Sequence, residues 1–140
     1  MRQTFIGQPE VPISRAVRVG DLVYTSAYGP WTFDPANVVL DAEGRVVSDG
    51  SGLEAMLFEE QVHRTFGFVS VALEAAGCTL DDVVRMECWI ADLRDFVVFN
   101  RVYADYFPRE RPVRSIFPTA FAFACKVEMQ ATAWRPVTDA

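Results

Sequence analysis

The chain has 140 residues, 51% of them hydrophobic and 23% charged, with a formal net charge of -6. This length suits a single domain, 1–140, with a core of ordinary size, and an acidic balance with no basic cluster argues against a nucleic-acid binder, whose hold on phosphates rests on Lys and Arg. Cys78, Cys88, Cys125 and the lone His63 show neither a disulfide framework nor metal-ligand spacing, and no apolar run is long enough for a membrane span or secretory core. No metal and no membrane are therefore expected, in a cytoplasmic setting.

Gln3 to Ile6 reads as a short first strand, ended by Gly7 and Pro9. Ala16 to Val19 and Leu22 to Ser26, joined by Gly20-Asp21, predict a tight hairpin whose two-residue turn glycine permits. Tyr28-Gly29-Pro30-Trp31 breaks that pattern. Val38 to Leu40 and Arg45 to Val47, around a turn at Asp41 to Gly44, suggest a second and more exposed ribbon.

Ser51 and Glu54 are spaced as a capping box, so a long helix is expected from there to Gly77, a natural C-terminal cap. Leu57, Val62, Phe66, Val69, Leu73 and Ala76 form its apolar stripe. Gly67 costs a helix about 1 kcal/mol relative to alanine, which suggests close packing against the sheet. His63, on the polar side, reads as a surface residue rather than a catalyst. Val83 to Ala91 alternates as a strand with Trp89 on its mixed face; Asp95 is expected to cap a second helix with the stripe Phe96, Phe99, Tyr103 and Tyr106/Phe107, ended by Pro108.

Val113 to Phe117 is β-branched and aromatic, hence a strand, interrupted at Pro118-Thr119. Lys126 to Trp134 alternates cleanly, with Val127, Met129, Ala131 and Ala133 on one face and Lys126, Glu128, Gln130 and Thr132 on the other. Paired through the turn between them, these two strands would bring Arg114 and Glu128 to one cleft. A surface ion pair is the plainer reading of the same two residues. Cys125 reads as a buried inert thiol, because adjacent strand residues point to opposite faces and Lys126 cannot easily activate it.

Two helices can cover only one face of a sheet of about six strands, and the other face keeps Trp89 and further apolar groups. The expectation is an α+β sandwich whose open faces pack together between subunits, with sites at the seams.

Val19-Gly20-Asp21-Leu22-Val23-Tyr24-Thr25-Ser26, Glu60-Gln61, Glu74-Ala75-Ala76-Gly77, Asp81-Asp82-Val83-Val84, Asp92-Leu93, Asp95-Phe96, Phe99-Asn100 with Tyr103, Pro112-Val113-Arg114-Ser115 and Val127-Glu128 with Ala131 together carry a resemblance. The chain resembles the RidA/YjgF reactive-intermediate (enamine/imine) deaminases over most of its length. That resemblance implies a chorismate-mutase-like α+β fold, a mixed sheet with two helices on one face, and a homotrimer with three clefts between subunits. It also implies that Arg114 holds the carboxylate of a small-molecule substrate and that Glu128 sits by the reacting water, with Ser26 and Asn100 close by and no cofactor. The implied activity is hydrolysis of reactive 2-imino acids, or a related enamine, to 2-oxo acids and ammonia.

The chain departs from the best-known members at Ile13, where they carry tyrosine, at Ala27, where they carry glycine, and at Ile116, where they carry cysteine. The segment before the last strand is instead rich in Phe117, Phe121 and Phe123. A more apolar or reshaped pocket follows, lined in part by Ile13 and Ile116. The alternative is a non-catalytic small-ligand-binding or regulatory trimer that kept the arginine. RNA cleavage fits poorly with the acidic balance and the lack of a basic, aromatic-lined groove.

Overall fold

Residues 1–30, 35–121 and 124–138 are described in the computed structural model. Trp31 and Phe123 lie outside them. The first hairpin forms as its sequence dictates: β2 (Ser14–Val19) and β3 (Leu22–Thr25) pair antiparallel, Val19 opposite Leu22, and Gly20 takes φ 59 to turn the chain in two residues. β1 (Arg2–Ile6) adds to β2, and the exposed ribbon is β4 (Val39–Leu40) against β5 (Val46–Ser48).

The long helix, α1 (Phe58–Ala75), starts later than the Ser51/Glu54 spacing suggests. Ser51 is already engaged: its hydroxyl donates to Asp49 Oδ1 at 2.6 Å and accepts from the Leu53 amide, and Gly52 at φ 71 diverts the chain into a single 3-10 turn, Leu53–Ala55. Leu57 becomes the N-cap residue and is exposed rather than part of the stripe. The C-terminal end is as expected. Gly77, at φ 79, donates to the Glu74 carbonyl while the Cys78 amide reaches the Leu73 carbonyl, closing the last turn in a Schellman motif. The expected packing of Gly67 against the sheet is not what forms: Gly67 faces outward, and a Cβ there would meet nothing within 4 Å.

After α1, β6 (Val83–Ile90), α2 (Phe96–Tyr106) and β7 (Val113–Pro118) make a strand-helix-strand unit, and β8 (Val127–Trp134) closes the chain. Asp95 occupies the N-cap position of α2 but its side chain caps nothing; Asp92 instead accepts from the Arg94 amide and opens the preceding 3-10 turn. Six strands form one mixed sheet in the order β1-β2-β3-β8-β6-β7, parallel only between β6 and β7, where α2 supplies the crossover. β7 and β8 therefore do not pair. β6 lies between them.

α1 lays Val62, Phe66, Val69 and Leu73 on β8, whose Val127, Met129, Ala131 and Ala133 face it, all of them fully or almost fully buried. Each large apolar side chain so enclosed contributes about 1.5–3 kcal/mol. α2 extends this layer with Phe99, Val102 and Tyr103 beside Met86 and Cys88 of β6. On the other face, Tyr24, Phe117 and Trp134 are 43%, 53% and 52% exposed, so among the described residues that apolar face has no cover. No helix among the described residues is long and apolar enough to cross a membrane.

Candidate functional site

The parallel register sets Arg114 opposite Met86 and Ile116 opposite Cys88. Residues directly opposite share a face, so Arg114 and Ile116 project to the side that the helices cover. There α2 meets Arg114. Its Nη1 donates to Asn100 Oδ1 at 2.8 Å, and its guanidinium carbon lies 4.9, 5.5 and 5.9 Å from the ring centroids of Tyr103, Phe99 and Phe96. These rings offer their faces to the cation. No carboxylate forms an ion pair with Arg114 among the described residues, and Nη2 and Nε carry no partner there, so one edge of the fork is open.

The surroundings of that fork are dry. Burial pushes the Cys88 thiol up to about 12, against the pull of Arg114, and burial likewise raises Tyr103. The Tyr103 hydroxyl is buried and has no hydrogen-bond partner among the described residues. In such a medium a charged ligand group is held more strongly than in water.

Glu128 stands elsewhere. It lies opposite Trp89 on β8, between the buried Val127 and Met129, and so projects to the face the helices leave uncovered. Burial nevertheless holds its carboxyl above the usual carboxylate range, only partly offset by the Cys125 thiol, whose Sγ donates to Oε1 over 3.9 Å. Ile13, Arg15, Ala27 and Tyr28 join Glu128 around a cleft of about 310 Å³. Ser26 is half-buried and ties two strands together, its hydroxyl donating to the Ser14 carbonyl at 2.6 Å.

The start of β8, and with it Glu128, is pinned by Gln61, Asp49 and Lys126, none of them a candidate site residue from the sequence. Gln61, fully buried on α1, accepts from the Lys126 amide at 2.9 Å and donates to the Leu53 carbonyl at 3.0 Å. Asp49 accepts from the Ala124 amide at 2.8 Å; burial works against its charge, but the bonds from Ser51 and Ala124 outweigh that and keep it below the usual range. Lys126 Nζ reaches the Met56 carbonyl at 2.8 Å. The signal for Gln61 was present: a glutamine beside Val62 in the apolar stripe has to be satisfied internally.

The candidate residues thus fall into two groups. Arg114, Asn100 and Ile116 gather under α2, while Glu128 and Ile13 line the cleft and Ser26 stands at the β2–β3 end of the sheet. Among the described residues no cluster of three or more His, Cys, Asp or Glu side chains gathers that would hold a metal ion.

A mixed six-stranded sheet with two helices on one face defines an α+β protein, and comparison with known proteins gives its class. The family model described as Endoribonuclease L-PSP matches residues 6–135, and the chain belongs to this YjgF/RidA family. A RutC family protein of Saccharolobus solfataricus is 36% identical over 107 residues, 76% of this chain and 73% of that one. The human 2-iminobutanoate/2-iminopropanoate deaminase is 32% identical over 131 residues, covering 92% of this chain and 85% of its own. The crystal structure of RidA from an Antarctic Psychrobacter matches with a TM-score of 0.69 at 27% identity, over 91% of each chain.

Proposed function

We propose that this protein hydrolyses reactive 2-imino acids, or a related enamine, to 2-oxo acids and ammonia, in clefts between the subunits of a homotrimer. The observation that carries the reading is the Arg114 fork, oriented by Asn100 and the three rings and open along one edge. A planar carboxylate fits such an edge with two parallel charge-assisted hydrogen bonds, which fixes where the neighbouring imine carbon lies. Asn100 keeps the fork aimed, and Ile116 on the same strand closes the apolar side.

Glu128 supplies the water chemistry. Its carboxylate orients a water and takes one of its protons as oxygen bonds to the imine carbon and the C=N π pair moves to nitrogen. That proton, and then the hydroxyl proton of the resulting carbinolamine, pass through the carboxylate to nitrogen, so that the carbonyl forms as the carbon–nitrogen bond breaks and ammonia leaves a 2-oxo acid. A carboxyl whose affinity for protons is raised by burial is suited to that exchange. Since Arg114 and Glu128 of one chain point to opposite faces, each cleft takes the arginine from one subunit and the carboxylate from the next. The bare apolar sheet face is the surface that such an assembly would cover. Ile13 lines the Glu128 side of the cleft and Ser26 holds the strand end beside it.

The test is ammonia and 2-oxo acid release from imino acids generated in situ by an amino-acid oxidase, comparing wild type with Arg114→Ala. Acceleration by wild type, lost in the variant while the assembly persists, is expected. No acceleration of any substrate by a folded trimer would sink the reading. It would favour a non-catalytic binding trimer, for which the apolar Ile13 and Ala27 in the Glu128 cleft already speak.

A further inference from the structure

The cleft beside Glu128 is larger and more apolar than the chemistry of a small imino acid requires. Its volume, about 310 Å³, lies at the lower end of the range for pockets that enclose whole ligands, far beyond the needs of a methyl or ethyl group. Val11, Ile13 and Ala27 line it from the first loops, and Phe68 and Val71 from α1. Apolar groups along a cleft that also holds a carboxylate leave little for a short substrate to touch. They do offer a long side chain an apolar wall.

We infer that this cleft receives the substrate's side chain, and that the preferred substrates are 2-imino acids with large apolar side chains, branched or aromatic. The inference rests on the deaminase reading, since it places the imine carbon at Glu128 and lets the side chain run from there between Ile13 and the α1 residues. Burial of each added methylene in such a wall raises specificity by a factor of about 4. A phenylalanine-derived imine is then favoured over an alanine-derived one by roughly tenfold or more in kcat/KM. Arg15 is the cationic group in the cleft, and it forms no ion pair with Glu128. It makes an acidic side chain the one competitor to be measured.

The experiment compares imino acids made in situ from alanine, leucine, phenylalanine and glutamate, each by an oxidase that accepts it, on wild type and on Val71→Trp. Val71 is 47% exposed on the outer part of α1, so a larger residue there narrows the cleft without entering the core. The expected result is a preference for the leucine- and phenylalanine-derived imines over the alanine-derived one that falls about tenfold in Val71→Trp. Equal rates across the panel, a preference for the glutamate-derived imine, or a uniform loss in Val71→Trp overturns the inference alone. No acceleration of any member overturns it together with the deaminase reading.

Discussion

Arg114 and Glu128 stand on opposite faces of one sheet, with β6 between their strands: Arg114 is opposite Met86 on the helix-covered side and Glu128 is opposite Trp89 on the uncovered side. Side chains alternate along a strand with a period of two, so no loop movement brings this pair together within the chain. Joint action requires two chains.

Mixing experiments follow from that geometry. If each cleft takes its arginine and its carboxylate from two chains as proposed, Arg114→Ala and Glu128→Ala should each be inactive alone and regain about one quarter of wild-type activity when denatured together and refolded in equal amounts, because one cleft in four then pairs an intact arginine with an intact carboxylate. Recovery indistinguishable from zero would show that both groups act from one chain.

The pH dependence should carry the mark of Glu128. Its carboxyl is raised by burial above its ordinary value of about 4.3, so activity that needs the carboxylate is lost as pH falls through that raised value. The stability effect has the opposite sense. The native state binds the proton more tightly than the unfolded chain, so stability falls as pH rises through the window above about 4.3, and the cost is fully present once the carboxyl is ionised. Glu128→Gln should therefore be inactive yet more resistant to urea than wild type at neutral pH, with the difference vanishing below about pH 4. Unfolding curves at several pH values, read beside the rate profile, check both signs.

Gln61→Ala should lower stability by about 3 kcal/mol, since it leaves the Lys126 amide and the Leu53 carbonyl without their partner in a buried site. Because Lys126 opens the strand that carries Glu128, the acid limb of the rate profile should shift in the same variant. A stability change under 1 kcal/mol would show that water replaces the amide well.

Gly67→Ala is expected to stabilise the protein by about 1 kcal/mol, as helix propensity alone predicts where the new methyl meets open space. Urea unfolding of a variant assembled like wild type measures it. A loss of stability, or of assembly, would show that the outer face of α1 at Gly67 is packed against another chain.

Local pattern was enough for the elements themselves. Alternation in Lys126 to Trp134, the turn at Gly20-Asp21 and the stop at Gly77 depend on neighbours a few residues away, and each became the element it predicted. Caps were less legible. Ser51 and Glu54 have the right spacing, but a hydroxyl bound to Asp49 and a glycine at positive φ lie outside what a spacing rule sees. Arg114 and Glu128 could be singled out as residues, and the family could be reached through the motifs around them. What tertiary structure alone decided was their relation. The insertion of β6 between β7 and β8 is a long-range pairing with no local signature, and its registers, Arg114 beside Met86 and Ala131 but Glu128 beside Trp89, put the two residues on opposite faces of the sheet. The same holds for Gln61 and for the cleft at Ile13 and Val71, whose meaning comes from segments far apart in sequence that pack together only in the fold.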